Sequence, residues 1–314
     1  MISEETDPLQ GFLNKEVEKA KNSWLSAIKK YFTSQLALIS LLAVEGFVLL
    51  AFFSLSPISW GTAISAAIFL FTLFAYFSLR IYFSSLKFDR FQAAETRLIE
   101  ALRGGFDGEG TTLEERRFVA EALMRTSKTL EGVEFSLAPF KKFSRVCSAF
   151  FWHDLFYIRE SLLKLVVVEE IERIKLSPLH PDLHVSLANA YVLLAELYKA
   201  EKRGSATFQQ NLHHRFEEVS NKALLEFKIL RQYDPNDPWI LFQLAYTLGD
   251  LGKKDEELQT FEEVLRLRPH DLDTLHKVGT LYFQAGQTLQ GLEIFDQLRK
   301  IDHERAVDLI GHYS

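Results

Sequence analysis

The sequence predicts an all-α protein, in which a two-helix transmembrane hairpin precedes a helical domain ending in an α-solenoid of stacked helix pairs. Three observations carry this reading. Residues 36–77 run for 42 positions with a single charged residue, Glu45. The last third of the chain repeats at a period of 34. Alternating β-branched runs, the mark of strands, are scarce throughout, and the 314 residues include only 8 Pro.

Residues 1–35 read as an amphipathic N-terminal helix. Asp7 followed by Pro8 fits an N-cap and first helical residue. Leu9, Phe12, Leu13, Val17, Trp24 and Ile28 recur at helical spacing, with lysines on the other face. Two placements stay open: a helix lying on an anionic membrane surface, or one packed on the soluble domain.

Residues 36–79 supply two apolar spans, about 36–55 and 58–79. Each matches the roughly 20 residues that cross a bilayer core of about 30 Å. Pro57 and Gly61 favour a tight turn between them, so the spans must be antiparallel. A signal peptide has an apolar core of about 7–15 residues near its start, whereas some 35 polar or amphipathic residues precede this one. Lys15, Lys19, Lys21, Lys29 and Lys30 lie before the first span, Arg80, Lys87 and Arg90 after the second, and no charge lies in the turn. The basic bias places both termini on the cytoplasmic side. Glu45 sits mid-span, where a charge costs roughly 2.5–3.5 kcal/mol on insertion scales. It is either an intramembrane functional site or a structural carboxyl, neutral or bonded to Ser65 or Thr72 of the other span. A structural carboxyl there also allows a homo-oligomer through the hairpin.

Residues 80–177 form a helical stalk and middle helices. Leu86, Phe91, Ala94, Leu98 and Leu102 mark one stripe, which the Gly-rich stretch 104–110 ends. Thr112 with Glu115 makes a capping-box pattern for the next helix. Pro139 opens a shorter one, and Asp154 is expected to cap the one after that. The apolar run 162–168 is too short to span a bilayer and reads as buried helix.

Residues 178–314 carry the repeat. Pro235 returns as Pro269, Leu241 as Leu275, Leu244 as Val278, Ala245 as Gly279 and Leu248 as Tyr282. Gly252 returns as Gly286, Phe261 as Phe295, Val264 as Leu298 and Leu267 as Ile301. Each unit reads as two antiparallel helices that bury their apolar faces only by stacking. An irregular earlier copy has Leu187, Ala188, Tyr191, Ala223, Phe227 and Pro235 at the matching places. The 23 or so residues added there put a long turn at "EKRGSATFQQN", with helices extended on either side. The final "ERAVDLIGHY" reads as a capping helix.

This pattern resembles the tetratricopeptide repeat family over about residues 178–302. Glu257 departs from the small residue of the family pattern, and His303 replaces the closing Pro, departures expected to loosen packing. The resemblance implies that the first helix of each unit lines a concave groove. On the matched positions the partner-binding groove would hold Trp239, Phe242, Tyr246, His276, Thr280 and Phe283, with Asn189 from the irregular copy. Its aromatic character suits an amphipathic peptide or helix. The competing expectation is that upstream helices fill it. The basic–Asn clamp of some family members is unmatched, because Val185 stands where a Lys is required. The hairpin, by hydropathy alone, resembles chlamydial inclusion-membrane proteins, which leaves two settings: a bacterial inner membrane or a pathogen-modified host vacuole membrane.

The sequence holds no phosphate-cradling Gly loop, dinucleotide fingerprint or nucleophile elbow. No catalytic role, cofactor or metal is expected. His180/His184 straddle a helix start and the adjacent His213 and His214 diverge, so both make poor chelates. The single Cys147 reads as a small buried side chain. Residues 1–181 balance 21 basic against 21 acidic groups, while 182–314 carry 15 against 21. An acidic repeat domain argues against nucleic acid. A protein or peptide partner and the lipid bilayer are the expected ones, in a membrane-anchored scaffold or adaptor. The alternative is a subunit of a transport or secretion complex built on Glu45.

Overall fold

The computed structural model describes residues 8–55, 60–105, 112–133 and 144–311, with side chains described from 11 in the first stretch and from 151 in the last. The Asp7 cap, the turn at 56–59, residues 106–111, Pro139 and the side chain of Cys147 lie outside the described residues. Those described form eleven α-helices and no strand. They divide into two compact units, Met1–Leu162 and Leu163–Ser314.

In the first unit, α1 (Pro8–Leu55) and α2 (Trp60–Gly104) form a long antiparallel pair. Their contacts run in opposite senses along the two helices. Trp24 Nε1 donates to the Phe91 carbonyl at 3.2 Å, Thr72 Oγ1 donates to Glu45 Oε1 at 3.1 Å, and Phe69 lies over Gly46. The amphipathic arm and the first span are therefore one uninterrupted helix. No Pro or Gly separates them, so nothing in the sequence stops the helix at residue 35. At 1.5 Å per residue its 48 residues reach about 72 Å, more than twice a bilayer core.

The pair has two different halves. Below residue 29, Leu13, Val17, Ala20, Trp24 and Ala27 are buried at alternating spacings of four and three. Lys87, Phe91, Ala94 and Leu98 face them at the same spacing, which is the seam of a coiled coil. The arm thus packs on the continuation of the hairpin's second helix. Above, the pattern inverts: Leu36, Phe47, Leu50, Phe53, Phe71, Phe74 and Ile81 face outward.

Helix α3 (Thr112–Thr129) buries Val119, Ala120, Ala122 and Leu123 in the same unit. It starts at the predicted capping box. Helix α4 (Ser144–Leu176) continues from the first unit into the second. Asp154 is not its cap but lies inside it, where its carboxylate meets Lys87 Nζ at 2.6 Å. Phe88 faces Tyr157 and Glu95 accepts from Ser161 at 2.8 Å, so the first-unit part of α4 runs parallel to α2. The run 162–168 is helix with Leu162, Leu163, Val166 and Val167 buried.

The second unit is an α-solenoid. Helices α5 (Pro181–Ala200) and α6 (Ala206–Tyr233) form its long irregular pair. Their turn is only residues 201–205, shorter than the expected stretch, because "ATFQQN" is already helical. Ser205 caps α6 by accepting from the Phe208 amide, and Gly204 takes φ +106°. The extra residues therefore went into the helices, chiefly α6. The two regular pairs are α7 (Pro238–Asp250) with α8 (Lys254–Leu267), and α9 (Leu272–Gln284) with α10 (Thr288–Ile301). Gly252 and Gly286 both sit at φ +72°, and Asp237 and Asp271 cap α7 and α9. These pairs are the tetratricopeptide-like units that the 34-residue period predicts. Helix α11 (His303–Gly311) closes the stack with Ala306 and Leu309 fully buried. Only Asp302 separates α10 from α11, so the turn that a closing Pro would occupy is absent at His303.

Glu257 does not loosen its unit. It is 1% exposed and lies against Gly249, whose missing side chain makes the room. Its carboxylate meets Lys254 and Lys277, each at 3.0 Å. The next unit solves the same contact in reverse: Gly291 stands at the Glu257 position and Phe283 at the Gly249 position, ring against glycine.

Candidate functional site

The predicted groove residues differ in exposure and in what they touch. Trp239 and Tyr246 are 38% and 43% exposed. Asp237 caps α7 just before Trp239, accepting its amide at 2.8 Å, and the Trp239 ring meets Phe227 edge-on at 6.3 Å. Tyr246 stands one turn from Phe242, with ring centroids 4.7 Å apart, and both abut the buried Phe261. Phe242 is half-buried and packs against the core between the two regular units. Lys277 Nζ lies 5.7 Å from the Tyr246 ring centroid while its charge meets Glu257. Burial pushes the Tyr246 hydroxyl pKa upward, helped by the negative charges of Asp273, Glu257 and Asp271.

The α9 members behave differently. His276 Nε2 lies 3.0 Å from Asp308 of α11, and Arg305 of α11 pairs with Asp273. Thr280 Oγ1 donates to the His276 carbonyl. Phe283 fills the space over Gly291. So α11 stands beside the face of α9 that carries His276, and the Phe283 ring serves its own unit. Asn189 is exposed on α5. The open aromatic positions are therefore Trp239 and Tyr246.

Two polar fixtures hold the solenoid. His184 is buried, with Nδ1 2.7 Å from Glu226 Oε2 and Nε2 3.0 Å from the Pro178 carbonyl. Burial pulls its pKa down, but the Glu226 hydrogen bond, the Pro178 carbonyl and the Glu226 charge together hold it above 6.5. With acceptors at both nitrogens, the charged ring donates twice. Tyr282 donates to Glu262 at 2.7 Å, and burial followed by that bond pushes its pKa up to about 12.

In the hairpin, Glu45 is half-buried and bonded to Thr72, one of the two hydroxyls the sequence offered. Its Oε2 is buried without a partner among the described residues. Sequence reasoning missed the cluster just below the apolar band. Lys87 pairs with Asp154 and lies 4.2 Å from the Tyr31 ring centroid, a buried cation in an aromatic setting. Its signal was a Lys on the buried stripe of α2, one turn before Phe91.

No family model matches the chain, and no curated protein does. Solved structures do resemble it. MamA AMB-1 has 14% identity and a TM-score of 0.35, with 60% of this chain and 93% of that one covered. A second is YrrB, described as a TPR protein with an unusual peptide-binding site, at 18% identity and a TM-score of 0.28, with 60% and 97% covered. A third is Acl4, described as the assembly chaperone of RpL4, at 12% identity and a TM-score of 0.30, with 71% and 90% covered. The repeat architecture assigned above stands on the chain's own helix pairs.

Proposed function

We propose that the chain is a membrane-anchored tetratricopeptide-like scaffold that recruits a protein partner at the cytoplasmic face of a membrane. One observation carries the anchoring. The same two helices that bury their apolar residues below turn them outward above, over a band from Leu36 on α1 to Tyr82 on α2. An outward apolar band of this size is stable in lipid and a liability in water. Positive residues flank only the open end of the hairpin, which favours cytoplasmic termini. A bacterial inner membrane and a pathogen-modified vacuole membrane suit this reading equally.

The repeats would present Trp239 and Tyr246 to an amphipathic peptide. Aromatic anchors of this kind contribute roughly 2 kcal/mol or more each when a partner buries them. The test is a crosslinked pull-down from native membranes beside thermal melting. Trp239→Ala with Tyr246→Ala should lose the captured partner while lowering the melting temperature only modestly, less than truncation of a fully buried ring. Unchanged capture would retire this surface.

A second reading makes Glu45 an intramembrane site of a transport or secretion complex, which its unpartnered Oε2 favours. Under the scaffold reading Glu45→Gln inserts and functions normally, since Gln keeps shape and hydrogen bonding. Loss of a proton- or ion-dependent activity at normal membrane level would select the second reading instead.

A further inference from the structure

At the lower edge of the outward apolar band, two open cavities flank Tyr31. One, of about 220 Å³, is lined by Lys30, Tyr31, Ser34, Lys87 and Arg90 among others. The other, of about 600 Å³, is lined by Phe77, Arg80, Ile81, Ser84 and Ser85, with Tyr31 between the two. Among the described residues, no acidic side chain lines either cavity. Lys87 is neutralised by Asp154, but among the described residues no carboxylate pairs with Lys30, Arg80 or Arg90. Three uncompensated cations and three serine hydroxyls thus gather where the hairpin leaves its apolar band.

The larger cavity also has apolar side chains on its wall. Phe77 and Ile81 are 53% and 72% exposed and belong to the apolar band. Arg80 lies between them, Ser84 and Ser85 come next, and Lys30 and Arg90 line the other cavity. Apolar side chains beside cations and the Ser84 and Ser85 hydroxyls match one class of ligand, a chain-bearing phosphate. We infer that the larger cavity holds the phosphate headgroup of an anionic phospholipid from the adjacent leaflet at Arg80, Ser84 and Ser85, with Lys30 supporting it across Tyr31 and an acyl chain against Phe77 and Ile81. The inference rests on the membrane reading above. Basic pockets between helices at the cytoplasmic surface bind such headgroups by charge and hydrogen bonding. A free phosphate offers nothing to the apolar wall.

The test uses the full chain. Membranes are first washed with alkaline carbonate; release of the chain would remove the membrane reading, and this inference with it. The retained chain is then purified in mild detergent. Bound lipid is measured by native mass spectrometry with phosphatidylglycerol, phosphatidylcholine and glycerol phosphate as probes. Phosphatidylglycerol should be retained over phosphatidylcholine by about fivefold or more, as expected for a few surface cations acting together. Lys30→Gln with Arg80→Gln should bring the two lipids to parity. Arg80→Lys, which keeps the charge, should preserve the preference, as should Lys29→Gln, which lines neither cavity. A retained chain with no preference would overturn the inference alone, as would equal loss in Lys29→Gln. So would displacement of the lipid by an equimolar amount of glycerol phosphate.

Discussion

Gly249 and Glu257 in one unit, and Phe283 and Gly291 in the next, make one contact with the large partner exchanged between helices. A Cβ at Gly291 would fall on the Phe283 ring, held within the core between units. Gly291→Ala should therefore cost roughly 1–3 kcal/mol by overpacking. Gly249→Phe alone should be as harmful, because Glu257 is pinned by two lysines. Combining it with Glu257→Gly copies the neighbouring unit and should recover most of the loss. A double-mutant cycle by chemical denaturation reads this as strong favourable coupling, whereas simple additivity would contradict it. His184 makes a second residue-scale prediction. Its folded-state pKa lies above 6.5, so its stabilisation is fully present below pH 6.5 and is lost as pH rises through the folded value. The melting temperature should fall across that window, and His184→Gln should flatten the fall.

Among the elements, α1 is the most instructive. Its lower half is held by a seam in which Trp24 is 1% exposed and bonded to the Phe91 carbonyl. Trp24→Ala should cost about 3–5 kcal/mol, against near neutrality for the exposed Lys19→Ala, in urea unfolding of the detergent-solubilised chain. In the solenoid, Phe242→Ala should cost roughly 2–3 kcal/mol, somewhat below a fully buried Phe, because its ring packs between units. Trp239→Ala should not. That contrast shows what could be read from sequence. The 34-residue spacing revealed the units and their glycine turns, because those positions are set by backbone conformation and repeat in place. It could not say which helix stands beside the His276 face of α9. Nothing local to His276 announces Asp308, and the absence of a turn at His303 brings α11 in directly. Likewise the spacing of Leu13, Val17 and Trp24 gave the apolar face of the arm. What covers that face is decided by Phe91, Ala94 and Leu98, some 65–85 residues away in the chain. Glu257 was misjudged in isolation because its explanation, Gly249, lies in the other helix of its pair.

At the scale of the whole molecule, the account depends on one long antiparallel pair doing two jobs. Its lower half is a packed stalk, and its upper half is an outward apolar hairpin whose open end carries the positive charge. The central claim is that this hairpin crosses into a membrane and returns, leaving α1's start and the solenoid on one side. Site-directed labelling measures this directly. With Cys147→Ser as background, single cysteines replace Lys21 on the stalk, Trp60 at the tip of the hairpin and Lys228 on the solenoid. A membrane-impermeant maleimide is then applied to sealed vesicles of each orientation. The account predicts that Lys21→Cys and Lys228→Cys react from the same side and Trp60→Cys only from the other. Labelling of Lys21→Cys and Lys228→Cys from opposite sides, or of all three from one, would contradict it.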